Sequence, residues 1–143
     1  MPVKVERPLR IMLVDDNIID LRINSKVIAL TALFDEIIQC QSGEEALAYF
    51  TSHASEPEKL PNFILLDIQM PEMDGFEFLD NYKQFPEAWK NHCFVAMLSS
   101  TLDFGDIHRA EANPDVLKLF KKPLIPSELE GLFKVTFDPG PRL

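Results

Sequence analysis

Asn62–Leu79 reads NFILLDIQMPEMDGFEFL, and the fold follows from how this stretch is read. Phe63–Leu66 is an apolar run of strand length that ends on a carboxylate, Asp67, with a proline and an Asp-Gly pair close behind. An unpaired carboxylate is costly to bury. Asp67 therefore either caps a loop or stands at the end of a rigid strand in order to do chemistry.

Four similar runs surround it: Leu9–Val14, Glu36–Cys40, Cys93–Leu98 and Val116–Phe120. The third and fourth runs in chain order are apolar nearly throughout, as expected of strands covered on both faces. Helical signals fill the gaps. Ile19, Ile23, Val27 and Leu30 recur at spacings of three and four and predict one apolar helical face. Ser42 with Glu45 reads as a capping box opening a helix through Phe50, and Ser127 with Glu130 repeats it for a short last helix. Phe76–Gln84 and Asp103–Ala112 carry weaker helical signals, and His53–Pro61 is polar and proline-bearing, hence a loop. Strand and helix alternating about five times predict a doubly wound α/β fold, a five-stranded parallel sheet with helices on both faces. In such sheets ligands gather at the carboxyl ends of the strands.

The residues at those ends are Asp15 and Asp16 after the first strand, Asp67 after the third, Ser99, Ser100 and Thr101 after the fourth, and Lys121, Lys122 and Pro123 after the fifth. Three carboxylates close together raise one another's pKa unless a cation joins them. Oxygen ligands that leave room for water suit Mg²⁺. The two charges of the metal and the ammonium of Lys122 would balance three carboxylates. Such a site suits phosphoryl transfer, which needs positioning and charge neutralisation, with Asp67 as nucleophile. The competing reading of Asp15-Asp16 is a helix cap; that of Lys121 is a solvated surface charge.

Composition limits the alternatives. The chain has 143 residues, 46% hydrophobic and 26% charged, ordinary for one soluble domain. Its net charge of −9 disfavours nucleic acid and anionic membrane surfaces as partners. Cys40 and Cys93 lie far apart without metal or disulfide spacing and read as free thiols in a reducing compartment. The N-terminus has no signal-peptide core and no run is long enough to span a membrane, so a cytoplasmic location is expected. His53, His92 and His108 lack ligand spacing, and Trp89 reads as a packing anchor.

LVDDN (Leu13–Asn17), LLDIQMPEMDGFEFL (Leu65–Leu79), MLSS (Met97–Ser100) and KKPL (Lys121–Leu124) together resemble the receiver domain of bacterial two-component response regulators, of the CheY-like, stand-alone type. The resemblance spans Leu9–Phe133, leaving residues 1–8 and 134–143 as short terminal extensions, the latter a tail expected to fray. It implies strand order 2-1-3-4-5 with five helices. It also implies that Asp67 accepts a phosphoryl group from a sensor histidine kinase or a histidine phosphotransfer protein. Asp16, Asp67 and the backbone carbonyl of Gln69 would bind Mg²⁺ directly, with Asp15 acting through bound water. Ser99 and Lys122 would contact the phosphoryl oxygens, and the Lys122–Pro123 bond would be cis. Output would be a phosphorylation-dependent contact with a downstream protein through the fourth helix, fifth strand and fifth helix, over Leu117, Leu119, Leu129 and Leu132, a face on which a homodimer could also form.

One departure stands out. The aromatic that receivers commonly carry three residues before the site lysine is here Leu119, and Phe120 comes one residue later on the opposite strand face. Two other readings remain open at this stage. One is a pseudo-receiver acting without phosphorylation. The other is an Asp-nucleophile hydrolase like the haloacid-dehalogenase-like phosphatases, which place a general acid where this chain has Gln69.

Overall fold

The computed structural model describes residues 2–101 and 103–141. The five expected strands form one parallel sheet: β2 (Arg10–Val14), β3 (Glu36–Cys40), β4 (Phe63–Asp67), β5 (Phe94–Ser99) and β6 (Val116–Lys121), in the order β3-β2-β4-β5-β6. This is the doubly wound order expected from the sequence. Around it run α1 (Ile18–Thr31), α2 (Gly43–Ser52), α3 (Gly75–Tyr82), α4 (Glu87–Lys90), α5 (Phe104–Ala112) and α6 (Pro126–Thr136).

The pleat sorts side chains into two cores. Met12, Ile64, Leu66, Val95 and Met97 face α2, α3 and α5, whose Phe50, Phe76, Phe78 and Ala110 fill that layer. Ile11, Leu13, Phe63, Leu65 and Leu98 face α1 and α6, meeting Leu21, Ile28, Leu129 and Phe133. Burial of these side chains is the main stabilising term, about 1.5–3 kcal/mol each.

Several local expectations change. In α1 the stripe read as the core face is mostly on the outside: Ile19 is 64% and Leu30 86% exposed, and Ile23 is exposed as well. Leu21, Asn24, Ser25 and Ile28 turn inward instead. The helix carries apolar residues on two faces, and spacing alone does not choose between them. Leu117, expected under the output face, is exposed. Strand β6 has one extra residue where Val95 pairs with Val116 but Met97 with Leu119. That bulge puts Val116 and Leu119 on one face and turns Leu117 out.

The caps differ too. Ser42 caps α2 by accepting from the Glu45 N–H, but the Glu45 carboxylate accepts from Gln41 N–H rather than closing a box on Ser42. Helix α6 starts on Pro126 after Ile125 with no side-chain cap, so Ser127 is not one; Pro at the first helical position needs no N–H partner. The full capping box lies at Asp74 and Glu77, opening α3.

The terminal segments are paired. Strands β1 (Val3–Val5) and β7 (Phe137–Pro139) form a two-stranded parallel sheet, with Val3 opposite Phe137 and Val5 opposite Pro139. The tail expected to fray is thus structured through β7; positions 142 and 143 lie outside the described residues. Phe137 packs in an aromatic cluster with Phe34, Phe63, Phe94 and Phe133. Arg7 pairs with Asp35 at 2.9 Å, and Asp35 also accepts the Leu9 N–H at 2.7 Å. Trp89 packs on Phe85, ring centroids 5.0 Å apart, as an anchor should. Cys40 and Cys93 are free thiols.

Candidate phosphoryl-acceptor site

The sheet delivers its polar residues to one rim by continuing its hydrogen bonds one step past the strands. Asp15 N–H donates to Cys40 O at 3.1 Å, Ile68 N–H to Leu98 O at 3.0 Å, and Lys122 N–H to Ser99 O at 2.8 Å. These bonds hold the backbone beside each site residue as firmly as in the strands. Behind Asp67, the MPEMDG turn brings α3 against the strand end. A Cβ on Gly75 would stand 2.6 Å from Asp67 O and 2.8 Å from Met97 Cε, so only glycine allows this approach. Gly75 N–H closes the turn by donating to Ile68 O at 2.9 Å.

Asp15, Asp16 and Asp67 each turn a carboxylate oxygen inward, and these oxygens lie within 4.8 Å of one another. Asp67 is 4% exposed and Asp15 3%, whereas Asp16 is exposed. Capping of α1 falls to Asn17, whose side chain accepts from the Ile19 and Asp20 N–H groups. The aspartate pair is free of that task, and the cap reading fails. Lys122 Nζ lies 2.7 Å from Asp15 Oδ2 and 3.5 Å from Asp67 Oδ2. The Lys122–Pro123 bond is cis.

A further carboxylate went unnoticed in the sequence. Asp20 Oδ2 lies 3.1 Å from Lys122 Nζ. Asp20 sits in the first turn of α1, which starts at the same strand end as the aspartate pair; that position was the available signal. Its charge breaks the balance expected from three carboxylates, leaving one uncompensated negative even with a divalent cation present.

The electrostatics express this crowding. Burial, then the Asp15 charge, push the Asp67 carboxyl up to about 7, against the pull of Lys122. Burial lowers the Lys122 ammonium, but the hydrogen bond to Asp15 and the charges of Asp67 and Asp15 more than offset it, and its pKa rises. A cluster of oxygens held together despite mutual repulsion fits a hard divalent cation.

Ser99 is fully buried, and its hydroxyl points to the side chain of Gln69, with Oγ 2.9 Å from Oε1. It also contacts the Thr101 carbonyl. Gln69 was expected to act through its backbone; its side chain also reaches α5, donating from Nε2 to Asp106 Oδ2 at 2.9 Å. Leu119 packs with the α2-α3-α5 core and Phe120 is buried in the opposite one, as strand alternation requires.

Comparison with known proteins places the whole fold beside receiver domains. The model of the response regulator receiver domain family matches residues 11–134. A two-component response regulator from Cytophaga hutchinsonii, known as a crystal structure, is 32% identical with a TM-score of 0.81, covering 92% of this chain and 96% of that one. The probable methanogenesis regulatory protein FilR2 of Methanothrix harundinacea is 30% identical over 110 residues, 77% of this chain and 70% of that protein. Histidine kinase CKI1 of Arabidopsis thaliana is 38% identical over 78 residues, half of this chain, which spans only 7% of that kinase.

Proposed function

The chain belongs to the response regulator receiver family, a family of phosphorelay signalling domains rather than turnover enzymes, and from that premise we propose that Asp67 accepts a phosphoryl group from a phosphohistidine. The observation that carries this reading is the buried Asp67 carboxylate, held at a strand end between two further aspartates and the Lys122 ammonium. An Asp67 carboxylate oxygen attacks phosphorus, the new O–P bond forms as the P–N bond breaks, and the departing imidazole keeps the electron pair and takes up a proton. Lys122 is placed to pair with the transferred oxygens, and Ser99 to donate a hydrogen bond to one of them. Asp15, Asp16, Asp67 and the Gln69 carbonyl would hold Mg²⁺, which when bound neutralises carboxylate and phosphoryl charge. The position two residues beyond Asp67 is Gln69, which cannot protonate an alkoxide, and this disfavours turnover of phosphate esters.

The donor is a sensor histidine kinase or a histidine phosphotransfer protein in the cytoplasm; no helix among the described residues is long and apolar enough to cross a membrane. Phosphorylation shifts the population of the loop after β5, and the face built from α5, β6 and α6 follows. Exposed Phe104, Leu117 and Ile125 give that face apolar surface for a downstream protein or a second copy.

Intact mass after incubation with Mg²⁺ and acetyl phosphate tests the reading. One added phosphoryl group is expected, absent from Asp67→Asn and from an EDTA-treated sample. A folded wild-type protein that gains no phosphoryl group and binds no beryllofluoride would turn the assignment to a phosphorylation-independent interaction module.

A further inference from the structure

The side chain of Gln69 does something its backbone role does not explain. It lies between the buried Ser99 hydroxyl and the first turn of α5, 2.9 Å from Ser99 Oγ on one side and 2.9 Å from Asp106 Oδ2 on the other. Asp106 fixes the orientation of the amide: a carboxylate only accepts, so the NH₂ must face it and the carbonyl oxygen must face Ser99. Ser99 has one proton, and two acceptors compete for it, Gln69 Oε1 and the Thr101 carbonyl. A phosphoryl oxygen on Asp67 that takes this proton breaks the bond to Gln69 Oε1, and because Gln69 is an exposed residue its freed amide can turn to water and let go of its place between Ser99 and α5.

The far end of the chain is mechanically placed. Asp106 N–H donates to the Asp103 cap at 2.8 Å, so a pull on Asp106 acts on the start of α5. One turn on, Arg109 lies over the Phe76 ring at 4.0 Å, tying the same helix to α3. Between the two ties runs a groove of about 450 Å³ lined by Met70, Pro71, Phe76 and Arg109. Leu119 has no polar atom with which to join such a chain.

We propose that Gln69 is a positioning residue that holds the Ser99 hydroxyl in the unmodified protein and transmits its release to α5 through Asp106. This rests on the phosphoryl-acceptor reading of Asp67. It assigns the coupling to a carboxamide two residues beyond the acceptor.

Beryllofluoride with Mg²⁺ serves as the probe, with affinity measured by titration and the amides of residues 104–109 followed by NMR, after thermal melts confirm that each variant is folded. In the wild type, binding should shift the α5 amides. In Gln69→Ala and Asp106→Ala the α5 response should disappear, and Asp106→Asn, which keeps an acceptor, should restore it. Gln69→Ala should also bind about three- to tenfold tighter, the equivalent of the one hydrogen bond that no longer restrains Ser99. An α5 response that persists in both alanine variants overturns this inference and leaves the acceptor reading standing. Failure of the wild type to bind beryllofluoride overturns the acceptor reading, and the inference falls with it.

Discussion

The two rims of the sheet treat charge and packing in opposite ways. At the carboxyl rim, Asp15, Asp20 and Asp67 crowd around Lys122, with Asp16 beside Asp15 and Asp67, and the Asp67 carboxyl is pushed far above its usual range. At the amino rim, Phe63 and Phe94 begin their strands against Phe34, Phe133 and Phe137, with edge-to-face rings such as Phe34–Phe133 at 5.3 Å and 87°. Carboxylates there are paired: Asp35 is met by Arg7 and a backbone N–H, and Glu36 by Arg10 at 2.7 Å. One rim stabilises the molecule, while the other holds a local electrostatic conflict of the kind that a divalent cation relieves. The rigid strands between them let both exist in one small domain.

The comparison breaks most visibly at the aromatic rim. Phe137→Ala should cost about 3–5 kcal/mol, the usual loss for a buried aromatic, read as a lower midpoint in urea denaturation. Mg²⁺ affinity of the folded variant should stay near wild type; a large loss there would show that the rims are not separable.

The opposite rim predicts the opposite sign. The folded pKa of Asp67, about 7, lies above its unfolded value of 3.8. Its contribution to stability is therefore fully present below about pH 4 and is lost as pH rises through 7. Without metal, Asp67→Asn should be more stable than wild type at pH 8. Solvent at the rim and Lys122 screen the repulsion, leaving about 1 kcal/mol, or roughly 4 °C in Tm. The advantage should shrink as pH falls toward 4; a variant less stable than wild type at pH 8 would remove the claim of conflict. Asp20→Asn sharpens the picture with the smallest effect. It removes one of three anionic neighbours of Lys122 and should change stability by about 0.5 kcal/mol or less, while the Lys122 ammonium, followed by NMR titration, moves to lower pKa.

How much of this was legible depended on whether the signal was local. Asp15, Asp16, Asp67, Ser99 and Lys122 each follow an apolar run, and strand ends in a parallel sheet must share a rim, so the cluster could be assembled without coordinates. The rotation of α1 could not, because Leu21 and Ile28 compete with Ile19 and Ile23 on a helix that is apolar on two faces. Strands β1 and β7 are three residues each, and neither shows a period until its partner, more than a hundred residues away, is known. Asp20, Asp106 and the side chain of Gln69 were hidden for another reason: each is an ordinary polar residue in a first turn or a loop, and its role exists only in the distances.

The β1–β7 ladder has a consequence under load. The strands are parallel, so tension applied upstream of Val3 and downstream of Pro139 pulls them along their axes in opposite directions. The ladder is then loaded in shear, its hydrogen bonds sharing the force instead of opening one by one. The Arg7 side chain, bonded to Gly140 O at 3.3 Å, adds a cross-tie at the same place. Stretching the chain by its ends would meet this clamp before any strand of the five-stranded sheet felt the force.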